Sequence, residues 1–439
     1  MDFIGLLPPE ISEKVLAHLD MYDIMNCSLV SKAWYNATNS NTIWKPFWNP
    51  NNPPKESEGC ADFDWTFGSP CTWKLFRMNH YRIINNWKED RYKRYEIDGR
   101  WLDTTAYDGK TLVVNNGPLD IYRIENGNLV HIQTLRNRNY DAYMCSTNST
   151  FIAVKYKPFV VVYHNENDKY KTSYYLYNKG QNTKLYCTKD PREIDTSSDD
   201  NFTYPYWSNL MCILGDTLYV YLSHLKVLYA WEMKEMKCLL EKKADINDVS
   251  YDKNCVYLCI RNSIFVFDKN GSIVMRLEAR WNIGKMHCNH NMILAQRGLN
   301  EEVEFCAWDK TTGNVVFNKK MNVSEDLILH PKKNVILDLV DTWQVEKKEI
   351  TAYNLLDGSL LWKSRISEYS LLGDLHSIVA ERFLLFCTYT RHIFDVYDTD
   401  SGSYLYSLNH IDDDDLYASY DLLIYCCNKN AKLILHIYS

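Results

Sequence analysis

Residues 304–314 read EFCAWDKTTGN. A short run of large apolar side chains, Phe305 to Trp308, leads into Asp309 and Gly313. That is the signature of a strand entering a glycine-dependent hairpin turn. The same figure returns as LDIYRIENGN (119–128), IFVFDKNGS (264–272), EITAYNLLDGS (349–359) and IFDVYDTDSGS (393–403). Looser copies are FVVVYHNEN (159–167) and KVLYAWEMKEM (226–236), and LILHIYS (433–439) ends the sequence. Centred on Ile121, Val161, Leu228, Val266, Phe305, Ala352, Val396 and Leu435, the copies follow each other at about 40 residues, with one longer gap. That is the period of a four-stranded propeller blade. Eight copies predict eight blades, with seven as the alternative.

The last copy ends at Ser439 with no room for a fourth strand, whereas YKRYEI (92–97) precedes the first complete unit. An open ring would expose strand edges, so the N-terminal segment is expected to complete the final blade. The longer gap places extra sequence at roughly 165–206, and its TSSDDN run (196–201) predicts an exposed loop. A tolerated insertion is the plainer reading of this segment, and a partner-specific arm the sharper one.

The first fifty residues read differently. Pro9 suits the first turn of a helix, Glu10 and Glu13 suit its positive end, and Ile11, Val15 and Leu19 with Leu16 form one apolar stripe. Asp23 is expected to cap a second short helix carrying Ile24 and Cys27. Val30, Ala33, Trp34 and Ala37 mark a third, and Ile43, Trp44, Phe47 and Trp48 repeat the pattern. So few residues cannot enclose so many large side chains. Either this bundle packs onto the rest of the chain, or Leu7, Pro8, Ile11, Leu16, Leu19, Val30, Trp34 and Trp44 present a docking face. NPNNPP (49–54) then breaks any helix, and the spacing of Trp73, Phe76, His80, Ile84 and Trp87 predicts a linker helix from about Thr72 to Trp87. His80 is read as a packed helix residue.

The stretch LPPEISEKVLAHLDMYDIMNCSLVSKAWYNATNSNTIW (7–44) resembles an F-box, the helical module that docks F-box proteins onto the Skp-family adaptor of cullin-RING ubiquitin ligases. The resemblance is carried by Leu7-Pro8, Ile11, Leu16, Leu19, Asp23-Ile24, Val30-Ser31-Lys32, Trp34 and Ile43-Trp44; Met21-Tyr22 stand where the family often has a proline. It implies a substrate-recognition subunit of an SCF-type ligase whose partners are the Skp-family adaptor and, through it, cullin and RING subunits. The repeats resemble a divergent WD-repeat propeller: Trp308-Asp309 keeps the dipeptide, but no Gly-His occurs. LLDGSLLW (355–362) also resembles the repeat of quinoprotein propellers, which are typically exported enzymes. The expected architecture is α+β and multidomain: F-box 1–48, helical linker 49–90 and all-β propeller 91–439.

Composition limits the alternatives. A net charge of −7 over 439 residues argues against general nucleic-acid binding. No apolar run is long enough to span a bilayer, and the acidic start does not read as a secretory leader. Fourteen cysteines without CxxC pairs read as reduced thiols, the nearest approach to a metal pattern being Cys255 and Cys259 within one strand-like run. A cytoplasmic or nuclear protein without metal or cofactor is expected. The sequons at Asn148 and Asn201 then carry no meaning. No nucleophile elbow, Walker loop or zinc-ligand spacing is present, so a non-catalytic subunit is expected.

For substrate, one propeller face would receive Lys155, Lys157, Arg261, Arg297 and Arg391 from loops between second and third strands. Arg136, Arg138 and Arg280 would join them from loops between blades. Clustered Arg suits an acidic or phosphorylated degron, and WD-repeat F-box proteins as a family read such signals on this face. The acidic residues Asp309, Asp357, Asp398 and Asp400 fall on the opposite face, and the run Asp412 to Asp415 reads as a solvated loop. Two other readings stand beside the ligase subunit: a scaffold that binds the adaptor without delivering substrate, and a propeller enzyme with an unrelated helical N-terminus.

Overall fold

The structure, a computed structural model, describes the chain outside residues 1–3, 20, 45–70, 99–104, 116–117, 136–141, 157–158, 179–184, 195–209, 223–225, 300–301, 325–326, 341–348, 367–371, 389–392, 409–415, 428–431 and 439. Of the sequence expectations, Arg136, Arg138, Lys157, Arg391, Phe47, Trp48 and the run Asp412 to Asp415 lie outside the described residues. The chain forms two compact units, Met1–Tyr92 with Tyr438–Ser439, and Lys93–Ile437.

In the first unit a 3-10 turn, Ile4–Leu6, precedes α1 (Pro9–Leu16), α2 (Met21–Cys27), α3 (Lys32–Thr38), α4 (Asn41–Trp44) and α5 (Thr72–Lys88). Pro8 occupies the N-cap of α1 with Pro9 at its first position, where a missing N–H costs nothing. Ser31 caps α3 by accepting from the Trp34 N–H at 3.3 Å. Asp23 proves to lie within the first turn of α2, which begins at Met21, so it complements the dipole rather than capping it. The four short helices described surround a core of Leu16, Ile24, Ile43 and Trp44, against which Trp34 and Cys71 pack. The expected linker helix is present as α5, and His80 is buried on it. At its far end Trp87 stacks on Tyr438 with centroids 3.6 Å apart, while Asn86 Nδ2 donates to the Tyr438 carbonyl and the Tyr438 hydroxyl donates to Asp90.

The second unit is an eight-bladed propeller, each blade an antiparallel meander of four strands, to which blade 2 adds a fifth at its outer edge. Blades 1 to 7 span 105–135, 142–188, 210–243, 248–278, 285–321, 327–365 and 372–408. Blade 8 takes three strands from 416–437 and its fourth, Lys93–Asp98, from the other end of the unit. The closing register runs antiparallel from Lys93 opposite Ile437 to Asp98 opposite Lys432.

Why the repeat works is visible at two corners. In each of blades 1 to 7 the third and fourth strands slip register just before an aromatic residue: Tyr122, Tyr163, Trp231, Phe267, Trp308, Tyr353 and Tyr397. A bulge adds twist and re-aims one side chain. Here it turns the ring into the apolar layer shared with a neighbouring blade, as for Trp231 and Trp308. The divergent WD signature is therefore aromatic-then-turn, of which Trp308-Asp309 is one version. At the other corner, between first and second strands, a side-chain acceptor takes the N–H groups two and three residues on. Asp108, Asn148, Asp252 and Asn289 do this in blades 1, 2, 4 and 5, and His330 does it in blade 6.

The extra sequence is shorter than expected. Residues 165–178 belong to blade 2 itself, as its third strand and its fourth, Lys169–Asn178. Beyond them Leu185–Thr188 adds a fifth strand, pairing antiparallel with Tyr175–Asn178. Between blades 6 and 7, the Trp362 indole donates to the Thr399 carbonyl at 3.0 Å and its ring covers Gly402. A Cβ at Gly402 would overlap that ring, and its φ of +69° suits glycine.

Candidate functional site: an apolar helical face

The helical unit divides its large apolar side chains in two. Leu16 and Trp44, expected on the docking face, are fully buried in the unit's own core, with the Trp44 indole donating to the Thr38 carbonyl at 2.6 Å. They support the face rather than present it. Leu7, Leu19 and Trp34 are half-buried, Pro8 is exposed, and Ile11 and Val30 stand out, Val30 at 64% exposure. Three exposed residues were not anticipated: Leu6 at 75%, Val15 at 42% and Leu29 at 77%. The doublets Leu6-Leu7 and Leu29-Val30 carried the signal, since two adjacent apolar residues in a tight bend cannot both point inward. These residues lie on α1 and its lead-in and on the turn between α2 and α3, and α3 packs against α1, α2 and the lead-in.

The linker helix is bolted to this unit. The Cys71 N–H donates to Asn39 Oδ1 at 2.5 Å, and one turn on Lys74 is buried with its ammonium 4.3 Å from the Tyr35 ring centroid and 5.9 Å from that of Trp44. That ammonium has no hydrogen-bond partner among the described residues, and burial pulls its pKa down to about 8.

On the propeller the expected basic cluster breaks up. Arg297 faces Glu304 directly across its hairpin, pairs with it at 2.7 Å and lies over the Trp281 ring at 5.4 Å. Lys155 is buried within its strand, which lowers its pKa to about 8. Only Arg261 and Arg280 remain as exposed cations among the described members of the set. Arg261 sits at φ +57°, its N–H donating to Asn247 Oδ1 and its carbonyl accepting from the Ile283 N–H. Both belong to the same end of blade 4 and its exit, because Ala279, next to Arg280, donates to the Asn262 carbonyl.

The acidic residues of the opposite face are engaged by turns and cations. Asp309 accepts from the Thr312 and Thr311 N–H groups, which hold its carboxyl below the usual range, and Asp357 accepts from Ser359. Asp398 pairs with Arg382, and Asp400 with Lys333. No group of three or more His, Cys, Asp or Glu among the described residues could hold a metal ion. No described helix is long and apolar enough to cross a membrane.

Comparison with known proteins adds the following. The F-box-like family model matches residues 4–48. No curated protein matches the chain. Among solved structures, BamB from Moraxella catarrhalis is 11% identical over 78% of this chain and 98% of its own, with a TM-score of 0.50. Sqt1 of Saccharomyces cerevisiae is 8% identical over 78% and 98%, with a TM-score of 0.47. At such identities BamB speaks for the fold alone. With an F-box-like segment at residues 4–48 and eight closed blades behind it, the chain is an F-box protein with a C-terminal β-propeller.

Proposed function

We propose that the chain is a non-catalytic substrate-recognition subunit of an SCF-type ubiquitin ligase, its helical face docking a Skp-family adaptor and its propeller binding the protein to be modified. The observation that carries this reading is the set of exposed apolar residues Leu6, Ile11, Val15, Leu29 and Val30 on the helical unit. Exposed apolar side chains on closely packed short elements are what a helix-in-groove partner covers. Cullin and RING subunits join through the adaptor, in cytoplasm or nucleus. The contribution to ubiquitin transfer is then proximity, which raises the effective concentration of the target lysine. Substrate contact on the predicted face rests on Arg261 and Arg280, and an acidic or phosphorylated degron is the chemistry that suits them.

The test uses purified Skp-family adaptor and the full-length chain. Ile11→Asp with Val30→Asp should lower adaptor affinity at least tenfold while leaving the melting temperature within a few degrees, because neither side chain is buried. Unchanged affinity, or capture by a chain lacking residues 1–48, would remove the docking assignment. A protein that accumulates when this chain is withdrawn separates a ligase subunit from a scaffold.

A further inference from the structure

Eight of the exposed large apolar residues lie on one arc of the propeller rim, the outer strands of blades 4 to 7 and the turns that enter them. Blades 5 and 6 are the most developed. Their fourth strands, Val315–Met321 and Leu360–Arg365, open with the exposed pairs Val315-Val316 and Leu360-Leu361, 43% to 58% accessible. Each strand then turns basic and contains no acidic residue; Lys363 pairs with Glu349 on the neighbouring strand and the Lys319 ammonium lies over the Phe317 ring, which leaves Lys320 and Arg365 as the outward charges. Among the described residues each strand pairs with the third strand of its own blade alone, so no described strand takes up its outer row of N–H and C=O groups.

Blade 2 shows what such an edge accepts. Its outer strand carries Leu185–Thr188 as an added antiparallel strand, with Leu185 buried and its N–H donating to the Tyr229 hydroxyl. Among the described residues the edges of blades 5 and 6 carry no such added strand. Their charge decides the occupant. Lys320 on one edge and Arg365 on the other repel a second copy of the same strand, but attract an acidic one. Lys320 and Arg365 are exposed and have no ion-pair partner among the described residues. Blade 4 lacks this bias, since Arg276 is paired with Glu278 on the same strand, and the blade 7 strand Tyr404–Leu408 carries no charge.

We propose that the outer edges of blades 5 and 6 dock an extended, apolar and acidic segment of a partner protein by antiparallel strand addition. The surface lies on the propeller rim, and the inference does not depend on adaptor docking by the helical unit.

The experiment pans a random twelve-residue peptide library on the immobilised full-length chain, counter-selected on the Val316→Lys/Leu361→Lys variant. Both substitutions are at exposed positions, and matched melting temperatures verify the fold. The expected consensus alternates apolar residues and ends in acidic ones. As a synthetic peptide it should bind wild type at least tenfold tighter than the variant. It should lose at least tenfold when alternate amides are N-methylated. Lys320→Glu/Arg365→Glu should weaken it and strengthen its Lys-substituted counterpart. The inference falls if nothing enriches over the counter-selection, if the consensus is basic, or if N-methylation is without effect. It falls equally if wild type floats with phosphatidylserine vesicles and the Val316→Lys/Leu361→Lys variant does not, which would make the rim a lipid surface.

Discussion

At the blade 6 corner a histidine does what aspartate or asparagine does elsewhere. His330 Nδ1 accepts the N–H groups of Lys332 and Lys333, so this nitrogen must stay unprotonated, and Nε2 faces the Thr399 hydroxyl at 3.3 Å. Burial, and then the nearby Lys333, lower its pKa from 6.5 to about 4. His436, buried against Tyr425, is lowered to about 4 as well. The unfolded chain binds these protons first, so the associated stability is complete above pH 6.5 and is lost as pH falls towards 4. His330→Asn keeps the turn, because Asn289 makes the same turn in blade 5. It should leave stability at pH 7.5 nearly unchanged and reduce the acid loss by up to about 3 kcal/mol, read from urea midpoints between pH 7.5 and 4.5. An unaltered acid profile would show that other groups control it. Legibility at this scale depended on cross-strand neighbours. Arg261 and Arg280 stand exposed at a loop end, whereas the guanidinium of Arg297 is met by Glu304 opposite it, a neighbour that only the strand register reveals. Lys155 was misjudged because a strand with apolar layers on both sides buries every position.

Among elements, α5 owes its position to an unusual contact. A buried lysine with aromatic faces and no counter-ion among the described residues retains only part of the hydration that it loses. Its folded pKa, about 8 against 10.5, means that the destabilisation is complete below pH 8 and fades as pH rises to 10.5. Lys74→Met should therefore stabilise the helical unit by about 1 kcal/mol at pH 7, the cation–π attraction offsetting much of the shift, with the gain vanishing near pH 10.5. Differential scanning calorimetry across that range checks it, and a destabilised variant would mean that the aromatic contact outweighs burial. Helical spacing made α5 itself legible, as Asp/Asn-Gly turns made the third and fourth strands. The fifth strand of blade 2 was not legible, since LYCT (185–188) carries no turn signal and joins the sheet only through an edge formed elsewhere. The corner acceptors Asp108, Asn148, Asp252 and Asn289 were missed although they recur two or three residues before an apolar strand.

For the molecule, blade number and ring closure followed from the repeat count and the missing last strand, because a ring of sheets leaves only one economical way to satisfy its final edge. The pairing of Lys93–Asp98 with Lys432–Ile437 makes a sharp prediction. A chain of residues 93–439 should unfold in a single cooperative transition and remain monodisperse by size exclusion. Residues 99–439 should lose that cooperativity and self-associate through the bared strand; equal behaviour of the two would show that the closing strand is dispensable. The seam also sets a clock. Asp98 and Lys432, joined at 2.5 Å, stand 334 positions apart. At ribosomal rates of about 5–20 residues per second, the first strand waits roughly 20–70 s for its mate. Tyr438, which completes the far end of α5, emerges later still. During that interval the nascent chain already carries the greasy side chains of its opening helices, so a messenger cut short anywhere in the last blade would yield a polypeptide that bears them yet can never shut its ring.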